Sequence, residues 1–147
     1  MAPSLERRLY LPYGVEEMFD LVADIERYPA FVPGWREARV SSRGDDYLLV
    51  DQVVSLGSTG WRFRSEARLD RPCAIDIRTV EAPFGELAIH WSFDTLGDEG
   101  CAVVFRARYD PGRVIGAIAG PSFERRMLSV VDAFEGRARE LYANTRR

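Results

Sequence analysis

Between residues 4 and 12 the chain alternates. Leu5, Leu9 and Leu11 fall on one side and Glu6 and Arg8 on the other, which predicts a strand. The period then changes. Met18, Phe19, Val22 and Ile25 recur at helical spacing, so a short helix with one apolar face follows. Gly14 stands where its N-cap belongs. Glu17, three residues later, supplies only the acidic half of a capping box, because glycine has no side-chain oxygen. Tyr28, Phe31 and Trp35 come next among Pro29, Pro33 and Gly34, which forbid a continued helix. A rigid aromatic loop directly after a short helix is expected to shape a cavity or its mouth.

From residue 36 to residue 110 strand follows strand. Turn signals at 43–46, 57–60, 70–72, 83–85 and 97–100 separate them at a spacing that suits long antiparallel hairpins. Trp61, Phe63, Ala67 and Leu69 share one face, and Arg62, Arg64, Glu66 and Arg68 the other. Leu87, Ile89, Trp91 and Phe93 oppose Ala88, His90, Ser92 and Asp94. Val103, Phe105 and Tyr109 oppose Arg106 and Arg108. One face is apolar and one is wet, as in an antiparallel sheet.

The last third returns to a helical period. Phe123, Met127, Val130, Val131, Phe134, Ala138, Leu141 and Tyr142 form an apolar stripe, with charged residues filling the gaps. Pro121 is expected to kink this long helix or to mark the start of its regular part. The order is strand, one or two short helices, six strands and a long helix, an α+β arrangement. A curved antiparallel sheet must cover its apolar face, and the last helix is the element long enough to do so. The aromatic loop and the segment holding Ile115 and Ile118 would line the mouth of the space left where the curvature opens.

Composition narrows the class. The 147 residues are 46% hydrophobic and 29% charged, which suits a soluble protein whose single domain spans residues 1–147. The longest apolar-or-glycine run, residues 114–120, is far short of a membrane span, and the N-terminus lacks the apolar core of a signal peptide. A cytoplasmic location is expected. All 20 basic residues are arginine, yet the net charge is −3, which argues against a general nucleic-acid binder and against DNA as a partner. Cys73 and Cys101 read as ordinary strand thiols, and with a single histidine they do not suggest a zinc site.

Catalytic constellations fare badly. His90 sits in the polar register of a strand and reads as a surface imidazole. Gly116 and Gly120 fit no phosphate loop and would let a helix approach the sheet. Arg43-Gly44-Asp45 is a turn. The pairs Glu16/Glu17 and Asp45/Asp46 point apart or lie in a turn. Tyr47, Asp51, Gln52 and Tyr109 are conceivable acid–base groups, but strand packing or solvation accounts for each. No catalytic residue is assigned, and a non-enzyme is expected. Phe134 reads as core. An empty apolar pocket of ~300 Å³ would cost about 7 kcal/mol. That approaches the roughly 5–15 kcal/mol that stabilises a whole domain. A pocket here is therefore expected to hold lipid or water or to be largely collapsed.

The stretch LPYGVEEMFDLVADIERYPAFVP resembles the signature of the coenzyme-Q-binding START-like proteins of the polyketide cyclase and lipid-transport superfamily. The resemblance continues in APFGELAIHWSF, in LGDEGC and in GPSFERRMLSVVDAFEGRARELY. It implies a helix-grip, START/Bet v 1-like fold, in which a curved antiparallel sheet of about seven strands wraps around a long C-terminal helix. It further implies a non-catalytic protein that binds ubiquinone or another isoprenoid lipid, supports respiration and requires no cofactor or metal. Such a protein could touch the inner membrane transiently. Some bacterial members are instead ribosome-association toxins acting on the large subunit, and others of the superfamily are aromatase/cyclases. The chain departs from the family at Pro33-Gly34-Trp35, where Pro-Trp-Cys is usual, and at Gly14, where serine is usual. The expected cavity and mouth residues are Tyr28, Phe31, Trp35, Trp61, Phe63, Phe84, Trp91, Phe105, Ile115, Ile118, Phe123 and Met127.

Overall fold

A computed structural model of the chain describes the backbone of residues 4–56, 59–81, 86–98, 100–110 and 112–143, and their side chains except at 56, 59, 80, 81, 86 and 112–123. The elements follow in the expected order: β1 (Ser4–Leu11), α1 (Val15–Ala23), a 3-10 helix (Ile25–Ala30), β2 (Trp35–Arg43), β3 (Tyr47–Leu56), β4 (Thr59–Asp70), β5 (Ala74–Glu81), β6 (Glu86–Leu96), β7 (Gly100–Asp110) and α2 (Gly112–Tyr142).

The strands form one antiparallel sheet in the order β1-β7-β6-β5-β4-β3-β2. Strands β2 to β7 are a meander of neighbours in sequence. β1 closes the far edge by pairing with β7, Leu5 opposite Ala107 and Leu11 opposite Cys101. The chain therefore crosses the whole width of the sheet between β1 and β2, and α1 and the 3-10 helix make that crossing.

Alternation decides which face is covered. Leu9, Leu48, Val50, Phe63, Ala67, Ile75, Trp91, Phe93, Val103 and Phe105 all point to one side and are buried there. Val131, Phe134 and Ala138 of α2 complete the same core, as do Met18, Phe19 and Val22 of α1. The opposite face carries ion pairs such as Arg106–Glu6 at 2.7 Å and Arg64–Asp51 at 2.8 Å. This is the helix-grip arrangement: a curved sheet holding a C-terminal helix.

The helix ends follow local chemistry. Glu17 Oε1 accepts from the Gly14 backbone N–H at 2.9 Å, the acidic half of a capping box. At the other end of the crossing Gly34 adopts φ +83°, a left-handed conformation natural to glycine. Its carbonyl accepts from the Ser55 N–H at 2.7 Å, so the loop is anchored to β3 just where Trp35 enters β2.

Three expectations are corrected here. Trp35 begins a strand instead of ending a loop, because the left-handed Gly34 reverses the chain into the sheet. Cys73 lies exposed in the turn after β4, not in a strand, because the turn set by Asp70 and Pro72 extends through it. Leu141 is 41% exposed although it continues the apolar period of α2. Helix α2 begins at Gly112 and runs through Pro121 to Tyr142. The pair Gly116/Gly120 lies where side chains are outside the described residues.

Candidate functional site

Two adjoining cavities lie between the sheet and α2. The inner one, of about 70 Å³, is lined by Ile25 and Tyr28 below the 3-10 helix. Trp35, Gln52, Phe63, Ser65, Ala67, Ile77, Leu87, Ile89, Trp91 and Phe105 line it from the sheet, and Met127, Val130 and Phe134 from α2. The outer one, of about 150 Å³, is lined by Pro33, Gly34, Trp35, Val54, Ser55, Phe63, Leu87, Arg126, Met127, Ser129 and Val130. Trp35, Phe63, Leu87, Met127 and Val130 border both, so the two form one path. Pro33, Gly34 and Arg126 are exposed, which places the mouth between the loop before β2 and the side of α2.

The inner walls are aromatic. Tyr28 meets Phe134 edge-on with centroids 5.0 Å apart and Trp35 at 5.8 Å. Trp35 in turn meets Phe63 at 6.3 Å. Trp91 contacts Phe105 at 4.9 Å and Phe134 at 5.3 Å. These edge-to-face contacts fix the rings against one another. An inner cavity of 70 Å³ left dry would cost about 2 kcal/mol, which a domain can bear.

Polar groups in these walls are few. The Tyr28 hydroxyl donates to the Val22 carbonyl, and burial pushes the phenol well above its ordinary value of 10.0. Among the described residues, Gln52 and Ser65 are the buried polar ones of the sheet, 6% and 2% exposed. Trp35 Nε1 donates to Gln52 Oε1 at 2.8 Å, and Gln52 Nε2 donates to Ser65 Oγ at 3.3 Å. Among the described lining residues none is His, Cys, Asp or Glu. Elsewhere, among the described residues, no group of three such side chains is placed to hold a metal ion.

Of the expected residues, Tyr28, Trp35, Phe63, Trp91, Phe105 and Met127 line the inner cavity. Phe31 does not line either one. Its ring turns onto Phe134, at 5.2 Å, and lies under the Arg137 guanidinium at 5.4 Å. Trp61 does not line them either. It shares the inward face of β4 but sits nearer the strand's start, packed with Tyr109. Phe84 lies outside the described residues, as do the side chains of Ile115, Ile118 and Phe123. Phe134, read from sequence as core alone, is both core and cavity wall. Ile77, Leu87, Ile89, Val130 and Ser65 line the inner cavity without having been expected there, and Ser65 is the polar one among them. The signal was there: a serine at the apolar parity of β4, between Phe63 and Ala67.

The other candidates fall outside the cavities. His90 Nδ1 pairs with Asp76 Oδ1 at 2.6 Å on the outer face. Tyr47 and Asp51 are on that face too, bonded to Glu66 and Arg64. Tyr109 points inward but donates to Glu124 at 3.0 Å. Among the described residues no helix is long and apolar enough to cross a membrane.

Similarity to known proteins follows the fold. The chain is 32% identical over 143 residues to the ribosome association toxin RatA of Pseudomonas aeruginosa, covering 97% of this chain and 99% of that one. It is 26% identical over 102 residues to the mitochondrial coenzyme Q-binding protein COQ10 of Drosophila melanogaster, covering 67% of this chain and 42% of that one. The solved structure of the Zhui aromatase/cyclase from a Streptomyces species superimposes with a TM-score of 0.81 at 19% identity, covering 97% of this chain and 98% of that one. At that identity the superposition shows the fold alone. The profile of the polyketide cyclase / dehydrase and lipid transport family matches residues 11–135. That match takes in α1, the whole meander and the cavity-lining part of α2, and the chain belongs to this family.

Proposed function

We propose that this protein is a non-catalytic holder of a hydrophobic ligand, an isoprenoid quinone or a lipid of similar shape, bound between sheet and helix. The observation that carries the reading is the path of two adjoining cavities, walled by Trp35, Phe63, Trp91, Phe105 and Phe134 and open beside Gly34. Aromatic walls with few polar groups favour apolar matter over water. None of the described lining residues is His, Cys, Asp or Glu, and the hydroxyl of the lining Tyr28 is given to a backbone carbonyl, which favours holding over turnover. Likeness to a coenzyme Q-binding protein, COQ10, supports a quinone as the ligand.

The test is extraction of the purified protein with organic solvent followed by mass spectrometry, paired with thermal unfolding in added ubiquinone. A co-purified quinone or lipid, or a raised unfolding temperature, supports the reading. Neither result, in protein shown to be folded, would sink it.

A second reading is association with the large ribosomal subunit. It is favoured by the likeness to RatA over nearly the full length of both chains. The net charge of −3 counts against a direct grip on RNA. Co-sedimentation with large subunits, and growth arrest on overexpression, would support it; absence of both would remove it.

A further inference from the structure

The orientation of Gln52 is settled by what its neighbours can do. Trp35 Nε1 is a donor only, so the amide oxygen of Gln52 must face it, and the 2.8 Å contact is an N–H to oxygen bond. The amide nitrogen then faces Ser65 Oγ, at 3.3 Å, and gives it one hydrogen. Ser65 accepts that hydrogen and keeps its own to give. Neither the Ser65 hydroxyl hydrogen nor the second amide hydrogen of Gln52 meets an acceptor among the described residues. Both residues are almost fully buried and both line the inner cavity.

The next strand adds an independent sign. Thr79 stands directly across from Ser65 in the β4–β5 register, so the two side chains share the inner face. The Thr79 hydroxyl oxygen is buried with no hydrogen-bond partner. A buried hydroxyl left unpaired is costly, and this one stands beside Ser65, whose hydroxyl accepts from Gln52 at the cavity wall.

We infer that Gln52 and Ser65 at the cavity wall, flanked by Thr79 on the next strand, form a donor stripe that recognises the carbonyl oxygen of a ring ketone or quinone. The inference rests on the cavity holding a hydrophobic ligand and deepens it. The aromatic walls accept any apolar ring. The stripe distinguishes rings that bring an oxygen acceptor from those that do not. Trp35 is a positioning residue here: by occupying the amide oxygen it turns the donor end of Gln52 toward Ser65 and the cavity.

The experiment compares duroquinone with durene, the same methylated ring without the carbonyls, by calorimetry on the purified protein. Duroquinone is expected to bind about tenfold tighter or more, since a buried donor rejects a ligand that leaves it unpaired. Ser65→Ala should bring the two ligands within about threefold of each other, because the acceptor's partner is lost. Ser65→Thr, which keeps the hydroxyl, should retain the preference, and Thr79→Val should narrow it. Equal binding of both rings to the wild type overturns the inference and leaves the cavity reading standing. A preference that survives in both Ser65→Ala and Thr79→Val overturns it as well. Binding of neither ring to the wild type sinks the cavity reading, and this inference with it.

Discussion

The ring of Tyr28 stands edge-on to that of Phe134, centroids 5.0 Å apart at 75°, and joins the crossing helices to the terminal helix. Phe134 also meets Trp91 and Phe31, so one side chain of α2 joins two walls of the cavity and the ring that packs behind them. Phe134→Ala is expected to cost about 3–5 kcal/mol in urea unfolding, enough to leave little stable protein. Phe134→Leu should retain most of the stability. Loss of less than about 1 kcal/mol in the alanine variant would mean that the core collapses around the hole.

The Trp35–Gln52 bond lends itself to a double-mutant cycle. Trp35→Phe leaves the Gln52 oxygen buried and unpaired, and Gln52→Leu leaves the indole N–H in the same state. Each is expected to cost about 1–3 kcal/mol in denaturant unfolding. The double variant should cost less than the sum of the two by at least about 0.5 kcal/mol, because neither orphan remains. Additive costs would show that the bond contributes nothing beyond packing.

Two glycines should respond in opposite directions. Gly34 has φ +83°, so Gly34→Ala is expected to destabilise by about 1–2 kcal/mol. Gly136 is inside α2, and a Cβ there would meet nothing within 4 Å. Gly136→Ala should therefore stabilise by about 0.5–1 kcal/mol. Thermal melts of the two variants beside the wild type decide both, and a shift in the same direction would refute one of them.

Acid should weaken the fold through its outer face. The Glu6 carboxylate accepts from Arg106 at 2.7 Å and from Arg8 at 2.9 Å, which holds its carboxyl below the ordinary 4.5. Arg64 holds Asp51 below 3.8 in the same way. A carboxyl depressed by folding binds its proton more readily in the unfolded chain. Its contribution is therefore full above the ordinary value and is lost as pH falls through the folded value. The urea midpoint should fall between about pH 5 and pH 3, and Arg64→Gln should flatten part of that fall. Identical pH profiles for variant and wild type would remove Asp51 from the account.

Much of this was legible in the chain. The alternation of Trp61, Phe63, Ala67 and Leu69 told which face of β4 is buried, and Glu17 marked the start of α1. What period cannot tell is where a side chain turns once it leaves regular structure. Phe31 follows a 3-10 helix and swings onto Phe134 rather than into the cavity. Leu141 keeps the helical period, yet it is exposed, because an apolar stripe can run on beyond the surface that covers it. The Trp35–Gln52–Ser65 chain spans three strands, and no local pattern specifies such a contact. Only the odd parity of a polar residue among apolar ones hinted at it.

The crossing between β1 and β2 has a consequence for the order of assembly. The meander from β2 to β7 can form from near neighbours, but β1 must wait for β7, its partner some hundred residues on, as Leu5 pairs with Ala107. The cover for the inner face, Val131, Phe134 and Ala138, follows all seven strands in the chain. A chain growing from its N-terminus therefore holds a finished sheet whose apolar face is covered only in part, by α1, before it holds the helix that hides the rest. Those side chains are the same ones that later wall the cavity. Folding intermediates that bind a hydrophobic dye and vanish when α2 docks would be the kinetic trace of this order. A ligand that fits the cavity could then act as a temporary stand-in for the missing helix.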